Sequence, residues 1–124
     1  MAGRARRGFG MGVFPRARSP KRPEVLAERV ELPELLARAD AVVLAVPGGA
    51  ETRHLIGRGE MAAMKPGAIL VNVARGGVVD EEALADALEA GRLGAAGLDV
   101  YDGEPAVNPR LLALENAVLL PHLG

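Results

Sequence analysis

Residues 68–100 read AILVNVARGGVVDEEALADALEAGRLGAAGLDV, and this pattern predicts a strand, a helix and a second strand. The apolar run at 68–73 has the length of a buried strand. Asp80 precedes two glutamates, the apolar residues within 83–88 fall on one helical stripe, and Gly91 follows as a stop signal. The second apolar run ends near Asp99. Since strands that alternate with helices form parallel sheets, the stretch predicts a βαβ unit.

The flanking sequence continues this alternation. Three more apolar runs predict strands, at residues 11–15, 41–46 and 117–121. Helical spacing predicts helices within 23–39 and at 60–64, and Pro33 suits the first turn of a helix that begins near it. Thr52 is predicted to cap a helical turn at 53–56. The pattern as a whole predicts an α/β fold with a doubly wound parallel sheet.

The composition excludes several classes of binding site. A chain of 124 residues is long enough for one domain. It has no cysteine, which excludes disulfides and thiolate metal sites, and only two histidines, so we expect no metal. Three aromatic residues are too few for a platform that stacks nucleic-acid bases. The longest aliphatic run has six residues and no apolar stretch follows the basic start, so we expect a cytoplasmic protein that binds no membrane.

Charge is divided unevenly along the chain. Residues 1–23 carry seven Lys or Arg and no acid, whereas residues 24–124 carry eight bases and sixteen acids. A basic arm of this kind is compatible with nucleic-acid binding, an organelle transit peptide, the phosphate end of a nucleotide site, or a solvated helix end. The apolar interruption at 9–15 argues against a transit peptide, because those are continuously amphipathic.

Polar residues follow each predicted strand, at the edge where open α/β sheets bind ligands. These residues are Arg16 and Arg18, Pro47, Arg75, Asp99 with Glu104, and His122. Each of them alone is compatible with a structural role. Together they supply an anion clamp, an acid/base and a carboxylate to orient it.

The segment VNVARGGVVDEEALADALEAGRLGAAGLDVYDGEP at 71–105, with MKPGAIL before it and NPRLLALENAVLLPHLG after it, resembles the D-isomer-specific 2-hydroxyacid dehydrogenases. Glyoxylate and hydroxypyruvate reductases are the most similar branch. The resemblance implies a Rossmann-like domain and hydride transfer between NAD(P)H and a small 2-oxo acid or 2-hydroxy acid. It also implies that Arg75 clamps the substrate carboxylate, Asp99 faces the nicotinamide carboxamide, and Glu104 pairs with the proton donor His122.

The same resemblance implies that further residues line the cofactor: Val46, Pro47, Val73, Ala74, Arg75, Asp99, His122 and Gly124. A reduction of this kind needs a donor that is still protonated near neutral pH, and His122 is the candidate at a strand end. A carboxylate within hydrogen-bonding reach favours the protonated form of a histidine. We therefore expect Glu104 to support His122.

Two residues are candidates to bind the 2'-phosphate that distinguishes NADP from NAD. NAD-specific domains carry an acid after their second strand, whereas a 2'-phosphate needs cations there. The residues after VFP at 13–15 include Arg18 and Ser19, and no carboxylate appears before Glu24. These residues favour NADP over NAD.

Several parts that the resemblance leads one to expect are missing from these residues. The chain has no GxGxxG turn, no strand before it and no substrate domain, so residues 1–124 are predicted to be a partial NAD(P)-binding domain that is inactive alone. The alternative is a noncatalytic remnant, or a subunit that needs another chain to complete its fold. Strands that lack a neighbour present unpaired edges, so we expect aggregation, a homo-oligomer or a strand-donating partner chain.

Overall fold

The computed structural model describes residues 2–16 and 30–124. They fall in two compact units, Met1–Leu35 and Leu36–Gly124. In the first unit, helix α1 (Ala2–Phe9) is followed by residues 10–16 in no regular structure. The strand predicted at 11–15 is therefore wrong. A strand requires hydrogen bonds to a neighbour, but the N–H of Met11 instead donates to the carbonyl of Ala5, within α1.

Helix α2 (Leu32–Arg38) has Pro33 in its first turn, as predicted, whereas the helix predicted to begin at Pro23 lies outside the described residues. The second unit contains four parallel strands: β1 (Ala41–Leu44), β2 (Ile69–Asn72), β3 (Ala95–Leu98) and β4 (Ala117–Leu119). They lie in the sheet in the order β1-β2-β3-β4. The predicted strands at 41–46, 68–73, 95–99 and 117–121 and the all-parallel sheet are thus confirmed.

Helices connect these strands, and local sequence explains their limits. Helix α3 (Arg58–Ala63) joins β1 to β2, α4 (Glu81–Glu89) joins β2 to β3, and α5 (Pro109–Leu112) joins β3 to β4. The carboxylate of Asp80 accepts from the N–H of Ala83 at 3.1 Å, which confirms the predicted cap of α4. Gly91 ends the helix in the left-handed conformation, φ 66°, as predicted.

The cap predicted at Thr52 is wrong. No α-helix follows at 53–56; instead residues Ala50–Thr52 form a short 3₁₀ turn. The Thr52 hydroxyl hydrogen-bonds the carbonyls of Pro47, at 2.9 Å, and of Gly49, at 3.2 Å. Threonine side chains bond to neighbouring carbonyls as readily as to helix N–H groups, and here the loop after β1 supplies the partners.

The two faces of the sheet differ. One face buries Val42, Leu70, Ala96 and Leu98. On the other face Val43, Ile69 and Val118 are 43%, 43% and 62% exposed. Among the described residues β1 pairs only with β2, so its other edge is unpaired. These features agree with the expected aggregation or strand borrowing, which stays a prediction.

Candidate active site

All four strands end at one edge of the sheet. Leu44 pairs with Asn72, Asn72 with Leu98, and Leu98 with Leu119, so the segments that follow the strands emerge side by side. We call this edge the carboxyl rim. It consists of four segments: residues 45–49, 73–76, 99–105 and 120–124. The predicted site residues in the described part of the chain lie in these segments, except Arg16, which follows the run at 11–15 that is not a strand.

The carboxylate of Glu104 is hydrogen-bonded to His122 on the rim. Oε2 lies 2.7 Å from Nδ1 of His122, and Oε1 accepts from the N–H of Tyr101 at 2.9 Å. Both side chains are a little over one-third exposed, so solvent and small molecules reach the pair. The hydrogen bond from His122, and next the bond from Tyr101, hold the pKa of Glu104 below its ordinary value. Glu104 is therefore an anion beside His122 throughout the neutral range.

The backbone around His122 is held in an uncommon conformation. His122 has a φ of 55°, in the left-handed region that few residues other than glycine adopt. The buried carboxylate of Asp99 accepts from the N–H groups of Leu123 and Gly124, each at 2.7 Å. The bond from Leu123 has the largest effect and, together with the bond from Gly124, holds the pKa of Asp99 below its ordinary value. Burial acts in the opposite direction but is outweighed. Asp99 thus fixes the chain that follows His122.

A role for Asp99 at the nicotinamide carboxamide stays a prediction. A carboxylate has lone pairs for about four hydrogen bonds, and two are taken by the loop.

Arg75 is held at the rim by its neighbours. The buried side chain of Asn72 donates to the carbonyl of Arg75 and accepts from the N–H of Ala74, both at 3.0 Å. Asn72 thus satisfies two backbone groups of the segment that follows β2. The exposed guanidinium donates to the carbonyl of Ala74 at 2.7 Å. After the hydrogen bonds from His122 and Tyr101, its positive charge is a further and smaller influence that holds the pKa of Glu104 down.

Gly76 lies so close to the segment after β3 that no side chain fits there. A Cβ atom added to Gly76 would lie 1.8 Å from the carbonyl carbon of Tyr101 and 2.3 Å from the nitrogen of Asp102. Neither Gly76 nor Gly77 has a positive φ, so dihedral freedom does not explain a glycine at either position. The reason for Gly76 is instead the close approach of two backbones, which brings the Arg75 and Glu104 segments together.

The other residues predicted to line the cofactor differ in how exposed they are. Pro47 and Val73 are exposed on the rim and Ala74 is buried beneath it. Val46 is half-buried, and Gly124 lies against Asp99. Arg18 and Ser19 lie outside the described residues. His54, to which the sequence assigned no role, is in contact with Asp102 at 3.9 Å.

A cleft of about 350 Å³ adjoins the pair. Its wall includes Tyr101, Glu104 and His122 together with the apolar Pro105, Leu120 and Pro121. The sequence singled out Glu104 and His122, but it did not indicate Tyr101. The available signal was that Tyr101 is the only tyrosine and stands just after a strand end.

The described ranges contain no cluster of three or more His, Cys, Asp or Glu side chains that could hold a metal ion. Within these same ranges no helix has the length and apolar character that crossing a bilayer requires. The site consists of an arginine, a histidine and two carboxylates on one rim.

Comparison with known proteins shows the family of the chain. Residues 1–124 match the family model described as "D-isomer specific 2-hydroxyacid dehydrogenase, NAD binding domain". The chain belongs to this family. The resemblance of the motifs and the Rossmann-like fold predicted from it are thereby confirmed.

Individual members of the family show the same similarity. A glyoxylate reductase from Thermococcus gammatolerans is 52% identical, over 98% of this chain and 37% of the relative. The apo structure of D-mandelate dehydrogenase from Rhodotorula graminis has a TM-score of 0.94 and 41% identity, over 99% of this chain and 37% of that one. The chain therefore spans well under half the length of the relatives it matches.

A third relative was solved with ligands. It is an NADPH-dependent glyoxylate/hydroxypyruvate reductase from Sinorhizobium meliloti, in complex with NADP and malonate. Its TM-score is 0.89 and its identity 36%, over 97% of this chain and 38% of that one.

Proposed function

We propose that this chain is the nucleotide-binding part of an oxidoreductase that transfers hydride between NAD(P)H and a small 2-oxo acid, such as glyoxylate or hydroxypyruvate. The observation that carries the proposal is the Glu104–His122 hydrogen bond of 2.7 Å on the same rim as Arg75. The names of the glyoxylate and hydroxypyruvate reductases that it resembles support the choice of substrate class.

The rim fits a dinucleotide. Val73 and Pro47 are exposed and offer an apolar surface at the ends of two neighbouring strands. Ligands of open α/β sheets bind at this edge. The residues that would hold the cofactor are Val46, Pro47, Val73, Ala74, Arg75, Asp99, His122 and Gly124. When bound, the nicotinamide supplies the hydride.

The chain's own residues orient the substrate and supply the proton. Arg75 presents a planar guanidinium, which binds a carboxylate through two parallel hydrogen bonds and so orients the substrate. His122 donates a proton from its ring to the carbonyl oxygen of the 2-oxo acid. Glu104, an anion at neutral pH, holds the other ring nitrogen and stabilises the protonated ring.

The proposal is tested in a chimera, because the chain spans 37% of its Thermococcus relative. Residues 1–124 replace the aligned segment of that glyoxylate reductase. We expect the purified chimera to reduce glyoxylate with NADPH, and we expect the chain alone not to do so. The chimera carrying His122→Asn serves as the matched inactive reference. A folded chimera that binds a dinucleotide but reduces glyoxylate no faster than this reference would contradict the proposal.

The same assay addresses cofactor choice. We propose that NADP is preferred to NAD, because Arg18 and Ser19 would supply a cation and a hydroxyl donor to a 2'-phosphate and no carboxylate precedes Glu24 in the sequence. The NADPH dependence of the Sinorhizobium relative supports this choice. Equal kcat/KM of the chimera with NADPH and NADH would count against it.

Glu104→Gln in the chimera is expected to narrow the pH range of reduction. The pKa of Glu104 lies below the ordinary glutamate value of about 4.3. In the parent the carboxylate is therefore fully charged at neutral pH, and it loses its charge only when the pH falls below that ordinary value. Glutamine has no charge with which to stabilise the protonated ring. We therefore expect the alkaline fall-off of kcat/KM to move to lower pH by roughly 1 unit.

The check is a pair of pH–rate profiles between pH 5 and 9. Glu115→Gln, at an exposed position outside the rim segments, is the matched control and should leave the profile in place. Superimposable profiles of the parent and Glu104→Gln would show that the carboxylate does not support His122.

A further inference from the structure

Tyr101 touches both segments that carry the acid/base pair. Its N–H donates to Oε1 of Glu104 at 2.9 Å. Its hydroxyl lies 2.7 Å from the carbonyl of Leu120, two residues before His122, and 3.2 Å from the carbonyl of Leu98. A hydroxyl has one proton, so it donates to one carbonyl at a time, and the shorter distance favours Leu120.

Tyr101 is buried and closely packed. Tyr101 is 8% exposed and lies three residues after the end of β3, while Gly76 packs against its peptide group from the β2 side. The N–H of Leu120 also donates to the carbonyl of Leu98, at 2.8 Å. The tyrosine hydroxyl thus lies at the junction between the ends of β3 and β4, where a buried hydroxyl requires a partner.

We propose that Tyr101 is a positioning residue, whose backbone holds Glu104 while its hydroxyl holds Leu120, so that His122 is set against the carboxylate. The importance of this positioning for catalysis rests on the proposed function, in which His122 is the proton donor. The juxtaposition of Glu104 and His122 is a property of the chain itself. It can be measured without substrate or cofactor.

The substitution that separates the two contacts is Tyr101→Phe. It removes the hydroxyl and keeps both the ring and the N–H to Glu104. The segment at 120–122 then loses its side-chain tether, and we expect the His122 hydrogen bond to Glu104 to be populated less. That bond is the largest influence holding the pKa of Glu104 down, while the Tyr101 N–H and the charge of Arg75 are unchanged.

The readout is the titration of the Glu104 carboxyl in the chimera without cofactor or substrate, followed by its side-chain ¹³C shift between pH 2.5 and 7. In Tyr101→Phe we expect the midpoint to rise by about 0.5 pH unit, a fraction of the 1 to 3 units that a close opposite charge contributes. His122→Gly removes the ring, tolerates the left-handed φ of 55° and keeps no side-chain donor, so the larger rise expected there defines the upper limit. Asp102→Asn is the matched control, because Asp102 is the next residue but its side chain contacts Arg53 and His54.

A second carboxyl reports on the fold in the same spectra. The pKa of Asp86 is held down by hydrogen bonds from Arg58 and Arg110, on helices away from the rim, and should not move. A Glu104 midpoint that coincides with the parent's would overturn the proposal. A rise at Glu104 matched by one at Asp86 would overturn it too, since it would show general loosening. Neither result depends on whether the chimera reduces glyoxylate.

Discussion

Gly76→Ala is expected to lower the free energy of unfolding by about 3 kcal/mol or more, at the upper end of what overpacking costs. The added Cβ would lie 1.8 Å from the Tyr101 carbonyl carbon and 1.9 Å from its oxygen. These are backbone atoms at a strand end, so no side-chain rotation relieves the overlap. The 73–76 and 99–105 segments must separate, which moves Arg75 away from Glu104. Urea unfolding followed by circular dichroism measures the loss.

Gly77→Ala is the matched control, since it is the same substitution at the next residue. Its added Cβ would meet only the ends of Arg53 and Asp102, at 3.2 and 3.5 Å, and both side chains are exposed and can move. We expect a change within about 1 kcal/mol. If both variants unfold at the same urea concentration as the parent, the two backbones are not in close contact.

The helix α4 and the four strands were predictable from sequence because their signals are local. Asp80 and Gly91 mark the ends of α4 by their own chemistry, and the strand runs are apolar throughout because both faces of a parallel sheet are usually covered. The run at 11–15 carries the same local signal and is not a strand. Strand formation depends on a hydrogen-bonding neighbour, and no local pattern reports whether one is present.

The candidate site was partly predictable for a different reason. In a parallel sheet the strand ends share one edge, so Arg75, Glu104 and His122 were expected together before any distance was known. The contacts that hold them were not predictable. The approach of Gly76 to Tyr101 and the left-handed φ of His122 depend on where two distant segments meet, and spacing along the chain does not encode this.

His122→Asn in the chimera is expected to lower kcat for glyoxylate reduction by about 10²- to 10⁴-fold, the range that general acid catalysis contributes. Asparagine is chosen because it tolerates the left-handed backbone, and His122 has a φ of 55°. Its amide can still donate to Glu104, so the loop and the fold are expected to persist. It has no group that titrates near neutral pH, and it therefore cannot deliver a proton to the carbonyl oxygen.

His54→Asn is the matched control, because His54 is the only other histidine and also has a positive φ, 47°. It contacts Asp102 rather than Glu104, and we expect its kcat to remain within about twofold of the chimera's. Stopped-flow measurement of a single turnover separates the chemical step from product release. A His122→Asn chimera whose single-turnover rate equals that of His54→Asn would show that the proton comes from another group, and Arg75 and Glu104 would then have to be reassigned with it.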